Sequence, residues 1–284
     1  MLINDQKIEQ IVHLGNVCGK NLEAALNVPI LRNRQDHENN DFLHVEDGIL
    51  VGYLGMFSIV QPEKVEITAM VHPDYRRRGI FSALWQQAKE ECERRRVEEI
   101  LLVAEESSVE AKIVAKAIGA VHAFSEYRLD FQQPADSEKM RGNHPTLRLL
   151  PATEVHTQDL VAIGMSSFGD PEEDVMALIE RNHKGEEHQL YIAMNASTPV
   201  GMITVTMEED TAFLTGFGVM ADQQGKGYGR AILQQITEKL IENSIPKISL
   251  EVETDNENAL YLYTSSGFKV VSGYDYFRYE EEGC

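Results

Sequence analysis

GFGVMADQQGKGYGRAIL, residues 216–233, contains the pattern that decides the fold. A strand-like run ends in a polar turn, and an apolar helical pattern begins directly after three closely spaced glycines. These glycines, Gly225, Gly227 and Gly229, have no Cβ and allow the backbone to approach a ligand closely. The amides that start the following helix are unpaired and carry the positive end of its dipole. Together with the cationic side chains of the turn, they predict a site for phosphate or pyrophosphate.

The same pattern occurs earlier in the chain. Residues 71–119 align with residues 219–267 at a constant offset of 148, without a gap and with 12 identities in 49 positions. The identities continue from the turn through the following helix, the next strand and a second helix. Unrelated helices of similar composition would not keep one register through the loops between them. The sequence therefore indicates an internal duplication.

The two copies are separated by a polar segment. Residues 132–145 contain two prolines and one glycine, which is typical of a linker. We therefore expect one domain over 1–140 and a second over 145–284, a division that also fits the length of 284 residues.

Each copy is predicted to be α+β, with a mixed, mostly antiparallel sheet flanked by helices. In the second copy, the predicted helices are near 155–168, 171–183, 228–243 and 258–265. The predicted strands start at Thr146 and continue near 188–195, 200–207, 211–220, 247–253, 268–272 and 274–279.

Composition limits the class of protein. The net charge of -20 repels phosphate backbones and argues against a nucleic-acid partner, whereas it attracts cationic small molecules or basic peptides. Cys18, Cys92 and Cys284 are too few and too far apart for a disulfide framework or a zinc site, so no metal is expected. The N-terminus lacks a signal-peptide pattern, and the longest apolar stretch, 49–60, is shorter than the roughly 18 residues of a membrane span. A cytoplasmic protein without a membrane partner is expected.

Two motifs carry a resemblance to a known family. QGKGYG, residues 224–229, resembles the Q/R-x-x-G-x-G/A loop of the GCN5-related N-acetyltransferases, the GNAT family. NENALYLYTSSGF, residues 256–268, resembles the N-x-x-A-x-x-x-Y-x-x-x-G-F helix of that family, in the right order and spacing. The resemblance covers both copies and implies two tandem GNAT-like domains with acetyl-CoA as co-substrate.

The resemblance also implies roles for residues of the second copy. In the family, the loop holds the pyrophosphate of acetyl-CoA, and the strand before it offers backbone amides to the pantetheine arm and the thioester carbonyl. The residues implied to bind the cofactor are Val219, Met220, Gln224, Gly225, Lys226, Gly227, Tyr228, Gly229, Arg230 and Asn256. Tyr263 matches the family tyrosine beside the thioester sulfur and is the implied general acid, whereas Tyr261 is interpreted as a packing residue.

Glu251 is the implied catalytic base. The family often places an acidic base on this strand, 12 residues before the tyrosine, and Glu251 has that spacing. Strand alternation puts Glu253 on the same face, so it stays a rival. An amine is protonated at neutral pH and must lose a proton before it attacks. We expect direct transfer, in which amides stabilise the oxyanion, Glu251 accepts the proton through water, and Tyr263 protonates the leaving thiolate.

The first copy lacks these functional groups. At the offset of 148, the residues that replace Glu251, Asn256 and Tyr263 are Val103, Ser108 and Ala115. The loop of the first copy keeps three arginines and a glycine, residues 76–79, which still suit a phosphate. We expect a degenerate GNAT-like domain that does not catalyse, and whether it binds CoA stays open.

The sequence thus predicts an acetyl-CoA-dependent N-acetyltransferase that acts from its second copy on a primary amine of a small molecule or peptide. Two alternatives stay open: a CoA-binding sensor or scaffold without turnover, and an acyltransferase for a thiol or hydroxyl on the same fold. Candidates for the acceptor site are Glu172, Glu173 and Asp174, together with residues 274–276. The sequence contains no readable signal for the identity of the acceptor or for the oligomeric state.

Overall fold

The computed structural model describes residues 4–19, 31–32, 39–58, 63–132, 146–185, 187–208 and 210–280. Nearly all of the expected linker, 132–145, lies outside the described residues. The helices are α1 Asp5–Cys18, α2 Ile80–Arg95, α3 Val109–Ala117, α4 Thr157–Phe168, α5 Glu172–Lys184, α6 Tyr228–Glu242 and α7 Glu257–Ser265. The strands are β1 Asp41–Glu46, β2 Ile49–Phe57, β3 Lys64–Val71, β4 Glu99–Glu105, β5 Ala120–Phe131, β6 Arg148–Pro151, β7 His188–Asn195, β8 Thr198–Glu208, β9 Thr211–Val219, β10 Lys247–Glu253 and β11 Phe268–Tyr279. Within these ranges, no helix is long and apolar enough to cross a membrane.

The secondary structure predicted for the second copy is largely confirmed. Strands β7 and β10 begin and end at the predicted residues, and the four predicted helices correspond to α4, α5, α6 and α7. One prediction is wrong: the two short strands at 268–272 and 274–279 form the single strand β11. Gly273 does not interrupt it, because its carbonyl accepts a hydrogen bond from the Glu106 N–H at 2.9 Å and the pairing continues.

The chain forms two compact units that are not contiguous in sequence. Unit 1 comprises Met1–Glu126 and Ser272–Cys284, and unit 2 comprises Tyr127–Val271. The long strands β5 and β11 are therefore divided, since each contributes one part to unit 1 and the other part to unit 2. The sequence domains 1–140 and 145–284 stay a prediction. The compact units differ from them because the last part of β5 belongs to unit 2 and the last part of β11 belongs to unit 1. We call this arrangement the exchange of strand ends.

Unit 1 contains a mixed sheet between helices. Its strand order is β1-β2-β3-β4-β11-β5, where β11 and β5 contribute their unit-1 parts. Strands β3 and β4 are parallel, whereas the pairs β1–β2, β2–β3 and β4–β11 are antiparallel. Leu84 and Ala88 of α2 are buried on one face of the sheet, and Ile11 and Leu14 of α1 are buried in a second cluster with β2 residues.

Unit 2 repeats this architecture. Its strand order is β11-β5-β10-β9-β8-β7-β6, with the unit-2 parts of β11 and β5. Strands β9 and β10 are parallel, and the pairs from β9 to β6 are antiparallel. Ile232 and Ile236 of α6 are buried in one cluster, and Leu160 of α4 and Val175 of α5 in another. The predicted α+β class, with mixed and mostly antiparallel sheets, is confirmed.

Candidate active site

The parallel strands of unit 2 separate partway along their length. Pairing between β9 and β10 runs from Thr211 with Lys247 to Leu214 with Leu250 and ends there, although β9 continues to Val219. Strands that part in this way leave backbone N–H and C=O groups available to a ligand. In unit 1, pairing between β3 and β4 likewise ends before the last residues of both strands.

A β-bulge lies just beyond this point of separation. Two residues of β9, Gly216 and Phe217, face the single residue Ile203 of β8. Gly216 has a φ of 53°, in the left-handed region that glycine adopts without a steric penalty. Bulges change the direction of a strand and occur often beside active sites. In unit 1, β2 and β3 pair in one uninterrupted register, so β3 lacks the bulge.

Val219 and Met220 follow the bulge, and the backbone N–H and C=O groups of the two residues point to opposite sides of β9. The Met220 N–H donates to the Val200 carbonyl at 3.0 Å, so this amide is already paired. Because hydrogen-bonded and non-hydrogen-bonded pairs alternate along an antiparallel ladder, the polar groups of Val219 face away from β8, toward the gap. The Gln224 side chain donates to the Val219 carbonyl at 3.1 Å from this side, and by the same alternation the Val219 N–H also faces the gap.

The three glycines of the loop have different reasons to be glycine. Gly225 and Gly227 adopt left-handed φ angles of 72° and 85°. A Cβ added to Gly225 would meet no atom within 4 Å, so the loop is open on that side. Gly229 is helical, and its Cβ would lie 3.1 Å from a methyl group of Leu262. Gly229 therefore allows α6 to pack against α7, rather than a ligand to approach.

The side chains of the loop are mostly engaged with the protein. Lys226 donates to the Asp222 carbonyl at 2.8 Å. Tyr228 is buried in the core, where the Asn195 amide donates to its hydroxyl at 2.7 Å. Arg230 donates to the Ser265 carbonyl at 3.0 Å and to the Ser265 hydroxyl at 2.7 Å. These contacts shape the loop and link α6 to α7, so a ligand meets mainly the backbone.

Asn256, which the family motif implies as a cofactor contact, caps a helix. Its side-chain oxygen accepts a hydrogen bond from the Ala259 N–H at 3.1 Å at the start of α7. Ser108 does the same for the Ala111 N–H at 3.3 Å at the start of α3. The sequence comparison treated Ser108 as a lost functional group, whereas the structure shows that the capping role is kept.

Tyr263 is buried in an aromatic cluster. Its side chain is 8% exposed, and its ring centroid lies 6.0 Å from that of Phe217 and 6.2 Å from that of Phe268. Burial raises the pKa of Tyr263 to about 12, so the hydroxyl stays protonated at neutral pH. The sequence analysis did not identify Phe217, although its position beside a glycine in the middle of a strand was a signal for an irregular, functional stretch.

Glu251 lies on the face of β10 opposite the core. Leu250 and Val252 are buried in the same cluster as Tyr263, whereas Glu251 is exposed. Strand alternation places Glu253, which is also exposed, on the face of Glu251. Both carboxylates are therefore solvent-exposed, on the face of β10 opposite the cluster that contains Tyr263.

Residues 274–276, considered above for the acceptor site of the second copy, belong to unit 1. The reason is the exchange of strand ends, which the sequence pattern did not reveal. Asp275 accepts a hydrogen bond from the Ser125 hydroxyl at 2.7 Å and pairs with Lys112 at 2.9 Å. Burial opposes ionisation, but Lys112 and Ser125 hold the pKa of Asp275 below its ordinary value.

In unit 2, the end of α4 lies against the separated strand. The Phe168 ring lies 3.1 Å from a Cβ built on Gly218, and this ring is 42% exposed. The Ser166 hydroxyl accepts a hydrogen bond from the Ala221 N–H at 3.0 Å. Sequence reasoning missed both residues, because nothing in the pattern of α4 distinguishes them from a helix C-terminus.

Comparisons with known proteins agree with this geometry. The sequence profile of the acetyltransferase (GNAT) family matches residues 11–119 and 156–268. A mycothiol acetyltransferase of Thermomonospora curvata is 23% identical over 273 residues, which cover 94% of this chain and 91% of that protein. The structure of a GCN5-related N-acetyltransferase from Sphaerobacter thermophilus superposes with a TM-score of 0.79 at 18% identity, covering 98% of this chain and 93% of that one.

A second solved structure has the tandem arrangement. The tandem GNAT protein from the clavulanic acid biosynthesis pathway has a TM-score of 0.72 at 16% identity and covers 99% of this chain and 96% of that one. These structural likenesses support the fold, and the two profile matches cover both copies of the repeat. The chain belongs to the GNAT family and is an acyltransferase built from two tandem GNAT domains.

Proposed function

We propose that unit 2 transfers the acetyl group of acetyl-CoA to a primary amine of a small molecule or peptide. One observation carries this proposal: the strand separation, the bulge at Gly216 and the glycine loop meet at the same end of β9. Together they supply backbone donors for a thioester carbonyl and a helix N-terminus for a pyrophosphate.

In this proposal, acetyl-CoA is held mainly by backbone groups. The amides at the start of α6, after Gly225 and Gly227, bind the pyrophosphate. The Val219 N–H faces the gap and stabilises the oxyanion that develops on the thioester carbonyl. The predicted loop residues thereby keep their place in the site, with Gly229, Tyr228 and Arg230 acting through packing and loop shape.

The reaction uses the two faces of β10. Glu251 takes a proton from the ammonium through water, and the free amine attacks the thioester carbon. The nitrogen of the adduct then loses its second proton to water and the C–S bond breaks, which gives the neutral amide and the CoA thiolate. A thiol such as the cysteine side chain has a pKa of about 8.5, so its thiolate is too weak a base to ionise Tyr263. We therefore assign Tyr263 the donation of a hydrogen bond to the leaving sulfur, as the refined form of the predicted general acid.

The acceptor is proposed to be cationic. The exposed Phe168 ring is followed by the acidic first turn of α5, which contains Glu172, Glu173 and Asp174. The net charge of -20 adds a long-range attraction for positively charged molecules. An aromatic face beside carboxylates suits an alkyl ammonium group.

A survey of acceptors tests the proposal. The full chain is mixed with acetyl-CoA and a panel of amines, polyamines, aminoglycosides and basic peptides, and in a second series with thiols and alcohols, and CoA release is measured. We expect release with at least one amine, and its loss in Gly227→Val, where a β-branched residue cannot adopt the left-handed φ without strain. Release only with thiols or alcohols would show the alternative acyltransferase. Acetyl-CoA binding without any release would show a sensor.

A further inference from the structure

Three aromatic residues that touch one another in unit 2 correspond to three alanines in unit 1. Phe217, Tyr263 and Phe268 form a chain of ring contacts in the core of unit 2. At the offset of 148 residues, the equivalent positions are Ala69, Ala115 and Ala120. The two units share the same sequence of elements, so this difference removes three rings from the region beside the separated strands of unit 1.

The space is refilled only in part, by Phe81, which stands where unit 2 has Gly229. A cleft of about 870 Å³ lies between the separated ends of β3 and β4, beneath α3, in unit 1. Ala69 and Ala115 both line it, together with apolar residues of the strands and helices such as Leu102, Val114 and Phe277. An apolar cleft of this size is typical of a small-molecule site.

The loop at the mouth of the cleft keeps the conformation of the glycine loop. Arg77 has a φ of 65°, where its counterpart Gly225 has 72°. An arginine held in the left-handed region costs free energy, and such strain persists mostly at functional sites. Gly79 likewise has a φ of 81°, close to the 85° of its counterpart Gly227.

Two side-chain contacts of the loop are also reproduced. Arg76 donates to the Val71 carbonyl at 3.2 Å, in the same position as the contact from Gln224 to Val219. Arg78 donates to the Asp74 carbonyl at 3.0 Å, as Lys226 does to Asp222. The mouth of the cleft therefore combines the loop conformation of unit 2 with two arginines that line it, Arg76 and Arg77.

We propose that the unit-1 cleft binds a CoA thioester whose acyl chain is longer than acetyl, with the chain in the space left by Ala69 and Ala115. The arginine loop holds the phosphates, and the apolar cleft takes the chain. This inference rests on the proposed function in one respect, since both assume that a loop of this conformation binds the phosphates of CoA. Unit 1 lacks the β9 bulge and has Val103 and Ala115 in place of Glu251 and Tyr263, so it binds the thioester without transferring the acyl group.

Trp85 allows the cleft to be observed separately from unit 2. It is the single tryptophan of the chain, and its ring stacks on Phe81, a cleft residue, at 6.4 Å between centroids. Tryptophan fluorescence of the full chain is titrated with CoA, acetyl-CoA, hexanoyl-CoA and octanoyl-CoA. Each buried methylene increases affinity by up to about fourfold, so we expect hexanoyl-CoA to bind about tenfold or more tightly than acetyl-CoA.

Refilling the cleft tests the assignment of the chain. Ala115→Tyr places in unit 1 the ring that Tyr263 supplies in unit 2. We expect this variant to lose the preference for longer acyl chains while it still binds CoA. Because Ala115 is buried, Ala69→Phe is a second variant that repeats the test if the first does not fold. Val109→Tyr adds the same ring to an exposed position of α3 outside the lining and serves as the matched control.

The outcomes separate this inference from the proposed function. Equal affinities for all four ligands, or a chain-length preference that survives both refilling variants, would overturn the acyl site. The signal depends on Trp85 in unit 1, whereas acetyl transfer is measured as CoA release from unit 2. Failure of one measurement therefore leaves the other intact.

Discussion

Units 1 and 2 share a backbone and differ in the side chains around the gap between their parallel strands. Strands β4 and β10, and helices α3 and α7, begin and end at residues separated by the same offset of 148. The glycine loop and its counterpart in unit 1 agree in φ angles and in hydrogen bonds, yet β3 lacks the bulge of β9, and alanines stand in unit 1 where unit 2 has Phe217, Tyr263 and Phe268. A duplicated scaffold can thus keep the backbone of its glycine loop while the side chains around the gap between the parallel strands change.

The largest effect on turnover is expected when the proposed functional residues of each unit are replaced in turn. We expect Glu251→Gln combined with Tyr263→Phe to lower turnover by about 10⁴-fold, since proton transfer to a base supplies about 10²–10⁴-fold, a hydrogen bond made in the transition state about 10²–10³-fold, and such effects do not add fully. Gly79→Val in the unit-1 loop is expected to leave turnover within about twofold. Steady-state CoA release, with circular dichroism to confirm folding, measures both. A Gly79 variant that loses turnover, beside a double variant that keeps it, would reverse the assignment of the units.

The single variant Tyr263→Phe tests the role of one hydroxyl group that unit 1 lacks. Removing the hydroxyl is expected to lower kcat by about 10²-fold and to leave the affinity for acetyl-CoA nearly unchanged. With a pKa of about 12, the hydroxyl does not ionise in the working range, so the wild-type rate should not fall above pH 9 through this group. A kcat within twofold of the wild type would remove Tyr263 from the mechanism. Tyr261 is not the packing residue that the sequence suggested, since it is 70% exposed on the same helix, and Tyr261→Phe is therefore the matched control.

A third prediction concerns stability, where unit 1 carries a carboxyl group that unit 2 lacks. Glu66 pairs with Leu101 in β4, and the residue in the same register of unit 2 is Phe213, which pairs with Ser249. Burial and the nearby Glu126 raise the pKa of Glu66 to about 7, against the opposing effect of Lys64. The folded protein thus holds a proton that the unfolded chain releases, and stability falls as the pH rises from about 4.5 to about 7.

Glu66→Gln removes this penalty. We expect it to raise the free energy of unfolding at pH 8 by at most about 3 kcal/mol, and to have little effect at pH 4. Thermal unfolding at both pH values measures the difference, and Glu93→Gln on the exposed face of α2 is the control. An equal shift at both pH values would contradict the assignment of the raised pKa to Glu66.

The smallest expected effect is at the caps of α3 and α7. Asn256→Ser introduces the residue of unit 1, which caps its helix in the same way. We expect a stability change of about 0.5 kcal/mol or less, whereas Asn256→Ala should cost about 1 kcal/mol. If Asn256 contacts acetyl-CoA as the family motif implies, Asn256→Ser will weaken acetyl-CoA binding without changing stability. Calorimetric binding and thermal unfolding of the two variants distinguish these roles.

Sequence alone predicted the duplication, the α+β class and most element limits, because hydrophobic periodicity and glycine spacing are local signals. It did not predict the bulge at Gly216, since a bulge depends on how β8 pairs with β9. It also assigned Tyr228 and Arg230 to the ligand on the basis of position, whereas their side chains contact Asn195 and Ser265. Such contacts depend on tertiary packing, which residue spacing does not encode.

The exchange of strand ends has a consequence for the order in which the protein is made. In unit 1, β4 is next to the end of β11, which is synthesised about 170 residues later. At 5–20 residues per second, the ribosome needs on the order of ten seconds to cover that distance. During this time, the nascent first unit has an unpaired internal edge at β4, open to wrong partners. Unit 1, although it comes first in the sequence, is thus the last to complete its sheet, and a stop codon before β11 would damage the amino-terminal half.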